Sequence, residues 1–133
     1  MQLINFMNIN DPLRIMVVDD RDTVRESLRI VLTLEDDIEV VGEAEDGRQA
    51  VNVARVLNPD IVLMDCEMPG NIDGIEACRE IKEANLARAV IILTMHGNQQ
   101  VRRRAFIAGC DLFLEKGINT TELLDQVRRV AGR

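Results

Sequence analysis

The chain has 133 residues and a formal net charge of −7 at pH 7, with 47% hydrophobic, 29% charged and only 2% aromatic residues. This length fits one domain with a core of its own and is too short for two, and the apolar content excludes a disordered chain. The acidic balance and the lack of Trp and Tyr argue against direct nucleic-acid binding, which needs clustered cations and stacking aromatics.

Residues 1–12 carry neither the basic region nor the apolar core of a signal peptide, and we interpret them as a flexible tail before one domain over residues 13–133. No apolar stretch approaches the roughly 20 residues of a membrane span, so we expect no membrane association and a cytoplasmic location. The three cysteines have no metal-ligand spacing and indicate reduced, apolar side chains. The basic run at 102–104 is interpreted as a solvated helix face.

Short apolar runs alternate along the chain with segments of helical periodicity. The runs predicted as strands are 14–18, 38–42, 60–64, 89–93 and 112–115. Four of them are almost wholly apolar, which is typical of strands buried on both faces, whereas the second is mixed and suits an edge position. The alternation predicts an α/β fold of the (βα)5 type, flavodoxin-like and doubly wound, with a parallel five-stranded sheet in the order 2-1-3-4-5.

Asp19 and Asp20 directly follow the first predicted strand. In an open parallel sheet, ligands bind outside the carboxyl ends of the strands. Two adjacent carboxylates repel each other unless a cation lies between them, and a hard, oxygen-binding ion such as Mg²⁺ suits them. The alternative is that the pair caps a helix that starts near residue 22, and the pair alone leaves both interpretations open.

The third, fourth and fifth predicted strands end at Asp65, Thr94 and Lys116. A lone Asp at such a junction is commonly a turn former, but its carboxylate is also a phosphoryl acceptor in aspartyl-phosphate chemistry. A hydroxyl and an ammonium beside an acyl phosphate would bind its oxygens and offset its charge. We expect Gly74 to allow a sharp turn into the next helix. If the strands are neighbours, these groups and the acid pair meet in one site for a divalent cation and a phosphorylated aspartate.

In this order and spacing, the chain resembles the receiver domain of two-component response regulators over residues 13–133. The resemblance depends on the segments 17–20, 62–69, 92–94 and 113–116 and on Gly74. It implies that a sensor histidine kinase or a phosphotransfer protein donates a phosphoryl group to Asp65. The receiver would promote both this transfer and the later hydrolysis, and its output would be a changed surface on the fourth helix, fifth strand and fifth helix. A homodimer is compatible with this output.

The resemblance also implies a metal site with Mg²⁺ as the cofactor. The ion would be held by Asp65, by Asp20 directly and by Asp19 mostly through water. The backbone carbonyl of Glu67 would be a further ligand.

The remaining roles concern the phosphoryl group and its readout. Thr94 and Lys116 would contact the phosphoryl oxygens, and Phe113 holds the place of the aromatic switch residue, with plain core packing as the alternative. Glu67 and His96 hold the positions that flank the attacking water and would tune dephosphorylation. His96 is the only histidine, and we disfavour it as a phosphodonor because it follows a strand instead of lying on an exposed bundle helix.

The chain departs from the family pattern in two places. The segment 68–74 is one residue longer than the usual form, which concerns the loop geometry beside the site. Gly117 stands where a cis-proline is common. Residues 40–44, with Gly47 and Ala50, resemble receivers of the NarL/FixJ class.

Two other functions stay open at this point. A Mg²⁺-dependent phosphohydrolase with an Asp nucleophile usually carries Asp-x-Asp after its first strand, whereas this chain has Asp-Asp and no cap insertion. A degenerate receiver that serves only as an interaction platform is disfavoured by the complete set of site residues. We therefore expect a regulatory module and not a metabolic enzyme.

Overall fold

The computed structural model describes residues 11–95 and 97–133, so most of the predicted tail, and His96, lie outside the described residues. Strands and helices alternate along the chain. The strands are β1 (Leu13–Val18), β2 (Ile38–Ala44), β3 (Ile61–Asp65), β4 (Ala89–Thr94) and β5 (Leu112–Glu115). The helices are α1 (Asp22–Thr33), α2 (Gly47–Leu57), α3 (Gly74–Glu83), α4 (Gln99–Ile107) and α5 (Thr120–Val130). Within the described ranges, no helix combines the length and the apolar character that a membrane crossing requires.

The strands form one parallel sheet in the order β2-β1-β3-β4-β5, which confirms the predicted fold and topology. β5 has the predicted bounds, and β1, β2 and β4 are each longer than predicted by one or two residues. β3 is shifted by one residue, so that Asp65 is its last residue instead of following it. β2 is only partly buried, as expected for an edge strand.

The core lies on both faces of the sheet because successive strand residues point in opposite directions. Val62 and Ile92 belong to a cluster that includes side chains of α2, α3 and α4. Leu63 and Ile91 belong to a second cluster that includes side chains of α1 and α5. Helices therefore cover both faces of the sheet.

Four of the five helices have a short polar residue at the N-cap position. Its side chain accepts a hydrogen bond from the backbone N–H three residues further on. These residues are Asp46, Asp73, Asn98 and Asn119. α1 differs, because its N-cap residue, Arg21, makes no side-chain capping hydrogen bond in the described structure. Since neither Asp19 nor Asp20 is the N-cap, the helix-capping interpretation of the acid pair is wrong.

Gly74 is the first residue of α3 and lies against the end of β3. A Cβ on Gly74 would lie 1.9 Å from the carbonyl oxygen of Asp65, and the Gly74 N–H donates to the carbonyl of Cys66 at 3.0 Å. Gly74 is not among the glycines of positive φ, so its role at the start of α3 does not depend on the conformational freedom of glycine. Glycine is needed here because the helix approaches the strand too closely for any side chain.

The long loop between β3 and α3 packs on the start of α2. A Cβ on Gly47 would lie 2.6 Å from the carbonyl oxygen of Ile72, and the Ile72 side chain packs against the cluster on the α2 face. Gly70 has a φ of +107°, which side-chain-bearing residues rarely adopt. The loop is thus held against the start of α2 at Ile72.

Candidate functional site

The sheet register brings the ends of four strands to one level. The pairs at this edge are Val18 with Met64, Asp65 with Leu93, and Thr94 with Glu115. The ladder continues one step further, since the backbone N–H of Lys116 donates to the carbonyl of Thr94 at 2.7 Å. The predicted site residues Asp19, Asp65, Thr94 and Lys116 therefore lie at the same carboxyl edge.

Strand alternation assigns these residues to two sides of the sheet. Asp19 and Asp65 continue the rows of β1 and β3 that face α1 and α5, and Lys116 continues the matching row of β5. Thr94 continues the row of β4 that faces α4, and Phe113 lies in the cluster on that face. The acidic groups and the expected switch residues thus occupy opposite faces at one edge.

The acidic cluster consists of Asp19, Asp20 and Asp65, whose carboxylate oxygens lie within 4.8 Å of one another. Asp19 and Asp65 are buried, with 1% and 7% of their surface exposed, whereas Asp20 is exposed. Lys116 Nζ lies 2.7 Å from Asp19 Oδ2 and 3.2 Å from Asp65 Oδ1. One partly buried ammonium therefore bridges two buried carboxylates.

The electrostatics of Asp65 favour added positive charge. Burial raises the pKa of Asp65 above its ordinary value, and the charge of Asp19 raises it further, whereas Lys116 and the Glu67 N–H lower it. The Glu67 N–H donates to Asp65 Oδ1 at 3.3 Å. Because the net shift is upward, the ionised carboxylate is not fully compensated by its protein neighbours.

The donor set fits a hard divalent cation. Asp19, Asp20 and Asp65 offer carboxylate oxygens within a few ångströms of one another, and Asp20 faces solvent. Mg²⁺ prefers such oxygen ligands and keeps several of its waters, for which an exposed side of the site is required. Glu67 is exposed and borders the site through its backbone N–H.

Thr94 and Phe113 meet at Gly97, a residue that the sequence did not single out for this role. A Cβ on Gly97 would lie 2.8 Å from Phe113 Cε2 and 3.2 Å from Thr94 Cγ2. Arg102 Cζ lies 5.8 Å from the centroid of the Phe113 ring. The solvated-face interpretation of the 102–104 run is therefore incomplete: these arginines are exposed, but Arg102 stacks on the buried aromatic ring.

Two further residues beside the site are described by a backbone angle and by burial. Gly117 has a φ of +100°, which proline with its φ near −65° cannot adopt, so a proline there would require a different turn. Cys66 follows Asp65, and burial raises the pKa of its thiol to about 11. A thiol of this kind is a poor nucleophile at neutral pH.

The family model for the response regulator receiver domain matches residues 15–128. The chain is similar to the response regulator GacA of Pseudomonas viridiflava, with 36% identity over 118 residues, which are 89% of this chain and 55% of that protein. It is also similar to the nitrate/nitrite response regulator NarL of Escherichia coli, with 29% identity over 94% of this chain and 57% of that protein. The chain thus spans about half the length of the curated relatives it matches.

Solved structures show the same fold. The signal receiver domain of NarL from Mycobacterium tuberculosis superposes with a TM-score of 0.86 at 29% identity, covering 92% of this chain and 98% of that one. A chain of the CheX–CheY–BeF3–Mg²⁺ complex from Borrelia burgdorferi superposes with a TM-score of 0.80 at 27% identity, covering 90% of each chain.

The raised pKa of Asp65 predicts a pH-dependent cost to stability in metal-free buffer. A carboxyl whose folded-state pKa is raised stabilises the fold while it is protonated, and this contribution is lost as the pH rises through the folded pKa. Asp65→Asn should therefore increase the free energy of unfolding at neutral pH. The gain should shrink as the pH falls toward the ordinary Asp pKa of about 4, because the raised pKa favours protonation of the wild-type carboxyl there. Urea denaturation followed by far-UV circular dichroism measures both trends.

The control for this prediction is Asp36→Asn, the same chemical change at an exposed carboxylate. It should change stability by less than ~0.5 kcal/mol at every pH. An Asp65→Asn variant that is less stable than wild type at neutral pH would contradict the raised pKa.

Proposed function

The chain belongs to the response regulator receiver family, and from this we propose that Asp65 is its phosphoryl acceptor. Receiver domains of two-component systems are phosphorylated on an aspartate and act as regulatory modules. The observation that supports Asp65 is its position at the end of β3, inside the acidic cluster and 3.2 Å from the ammonium of Lys116. No other carboxylate of the cluster ends the central strand of the sheet.

The proposed reaction is phosphoryl transfer from a phosphohistidine on a sensor histidine kinase or a phosphotransfer protein. An Asp65 carboxylate oxygen forms a bond to phosphorus while the phosphorus–nitrogen bond breaks, and the electron pair stays on the imidazole nitrogen. Lys116 then binds a phosphoryl oxygen in place of part of its contact with Asp65, and the Thr94 hydroxyl binds another. These two groups stabilise the acyl phosphate and couple it to β4 and β5.

The proposed cofactor is Mg²⁺, held by Asp19, Asp20 and Asp65 with the Glu67 carbonyl as a further ligand. Bound there, it would supply positive charge to the phosphoryl oxygens. The incomplete compensation of Asp65 supports this proposal, as does the fold shared with a chain of the CheX–CheY–BeF3–Mg²⁺ complex. We expect weak affinity, because few protein ligands replace the waters of the ion.

The assembled site favours this switch over its two rivals. A degenerate receiver would lack part of the set, whereas Asp19, Asp65, Thr94 and Lys116 all lie at one edge. A phosphohydrolase would carry its nucleophile after β1, where Asp19 is instead bound to Lys116 and to the Arg21 N–H. We propose a module that promotes its own phosphorylation and dephosphorylation.

We propose that the readout runs from Thr94 to Phe113 and Arg102. Thr94 and the Phe113 ring both contact the space at Gly97, so a shift of Thr94 toward the phosphoryl group changes the room available to the ring. Arg102 stacks on that ring and belongs to α4, so the change reaches the surface of α4, β5 and α5. A partner protein or a second copy of the chain would bind this surface.

The first test concerns the acceptor. Incubation with an acyl phosphate and Mg²⁺ should add one phosphoryl group by intact mass, and base or hydroxylamine should remove it because acyl phosphates are labile to both. Asp65→Asn should abolish the addition. The matched control is Asp60→Asn before the opposite end of β3, where Asp60 accepts a hydrogen bond from the Arg14 N–H at 2.9 Å that an amide oxygen also accepts. Equal labelling of Asp65→Asn would overturn the assignment.

The second test concerns the readout. With Mg²⁺ and beryllofluoride, which stands in for the phosphoryl group, amide exchange within residues 94–117 should slow, because Thr94 and Phe113 are then held against the site. We expect at least a tenfold effect at the most sensitive amides, equal to ~1.4 kcal/mol. Asp65→Asn under the same conditions is the control and should show no change. Unaltered exchange in the wild-type segment would exclude the proposed coupling.

The third test concerns the lifetime of the phosphoryl group. Glu67 is exposed at the mouth of the site, where its charge repels anionic nucleophiles and its oxygens can also orient water. Glu67→Ala and His96→Ala should each alter the rate of phosphate release, while stability stays within ~0.5 kcal/mol of wild type. Glu83→Ala, at the far end of α3, is the control and should leave the rate unchanged. Wild-type lifetimes in both variants would show that neither side chain gates the water.

A further inference from the structure

The turn between β1 and α1 carries two of the three clustered carboxylates and is held by a side chain from outside the turn. The Asp19 N–H still pairs with the Ala44 carbonyl of β2 at 3.1 Å, but the Asp19 carbonyl leaves the sheet. Arg25 Nη1, from the first turns of α1, donates to that carbonyl oxygen at 2.6 Å. The Arg21 side chain does not cap α1 in the described structure. The side-chain contact that joins α1 to this turn is therefore the one from Arg25 to the Asp19 carbonyl.

The guanidinium of Arg25 is itself held in place. Its Nε lies 3.4 Å from Glu43 Oε1 on β2, its Nη2 pairs with Asp22, and its side chain is only 13% exposed. Since a guanidinium is planar and its donors have fixed directions, these contacts determine where Nη1 can point. Arg25 therefore links the edge strand, the first turn of α1 and the backbone of Asp19.

We propose that Arg25 is a positioning residue of the metal site: it sets the direction in which the Asp19–Asp20 turn presents its carboxylates to Mg²⁺. The inference depends on the proposed function, because it concerns the same metal. The Asp19 carboxylate is already held at both oxygens, by the Arg21 N–H at 2.9 Å and by Lys116 at 2.7 Å. Its backbone carbonyl is the remaining point that controls the path of the chain into Asp20.

Two effects of Arg25 on a cation have opposite signs, and this makes the proposal testable. As a nearby positive charge, Arg25 repels a divalent cation, so its removal would tighten Mg²⁺ binding. As a clamp on the turn, it preorganises the ligands, so its removal would weaken binding. Contacts that orient metal ligands are worth roughly 10- to 100-fold in affinity, and the charge of Arg25 is already offset by its ion pairs with Asp22 and Glu43. We therefore expect weaker binding when Arg25 is replaced.

The experiment is a MgCl2 titration of the ¹⁵N-labelled chain, read from the amide shifts of Asp20 and Glu67. Arg25→Gln should raise the Kd about tenfold, and Arg25→Lys, which keeps the charge but not the fixed donor directions of the guanidinium, should fall between this variant and wild type. Arg29→Gln is the matched control. Arg29 also bonds to Glu43, at 3.2 Å, but it is 45% exposed and its other partner is Glu26, so this change should leave the Kd as in wild type.

A second measurement separates positioning from general loss of structure. The rate of Asp65 phosphorylation by an acyl phosphate is followed against Mg²⁺ concentration, with a melting curve for each variant. Arg25→Gln should shift the half-saturating Mg²⁺ concentration about tenfold and keep the maximal rate, whereas a structural defect would lower the maximal rate and the effect would not be rescued by Mg²⁺.

The outcomes distinguish this inference from the proposed function. A Kd for Arg25→Gln that equals or is tighter than that of wild type would overturn the positioning role and leave the metal site intact. Equal weakening by Arg29→Gln would also overturn it, because the effect would then come from Glu43 alone. If wild type itself showed no Mg²⁺-dependent shifts, the metal site of the proposed function would fail, and the inference with it.

Discussion

Repulsion among the clustered carboxylates is the constraint on which the rest of the site depends. Asp19, Asp20 and Asp65 bring their oxygens within 4.8 Å of one another, and two of these side chains are buried. Lys116 offsets this repulsion by contacting both buried carboxylates. Because β4 separates β5 from β3, and β3 separates β4 from β1, the lysine side chain must reach across two strand ends. The long side chain of Lys116 reaches both acids because the in-register edge of the sheet places it at their level.

At the same edge, the residues of the proposed acceptor site and those of the proposed readout lie on opposite faces of the sheet. Strand alternation places the acids and Lys116 toward α1 and α5, and Thr94 and Phe113 toward α4. A change of charge at Asp65 therefore cannot reach α4 by direct contact of the acidic side chains. In the proposed switch it would pass through β4, whose last residue is Thr94, and through the space at Gly97 that Thr94 and Phe113 share. The lack of a side chain at Gly97 is what allows the ring to lie buried beside Thr94.

Most of the fold was predictable because its strands are nearly continuous apolar runs, and such runs are typical only of a sheet covered on both faces. The acid pair, Asp65, Thr94 and Lys116 were predictable as the residues that follow those runs. What could not be predicted depends on contacts between distant segments. The need for glycine at position 74 arises from the Asp65 carbonyl, and the role of Gly97 arises from a ring on another strand. Neither contact leaves a periodic or compositional trace in the sequence.

β2 shows that a contact between distant segments can also explain a residue that does not fit the strand pattern. Its mixed composition was attributed to its position at the edge of the sheet, and that position is confirmed. Glu43, which β2 includes beyond the predicted run 38–42, binds both Arg25 and Arg29 and thereby anchors the side chain that holds the Asp19 carbonyl. An apolar residue there would improve the strand pattern and remove the anchor. A charged residue thus stands in β2 at a position where it supports the site. Departures from local sequence preference are expected at such positions.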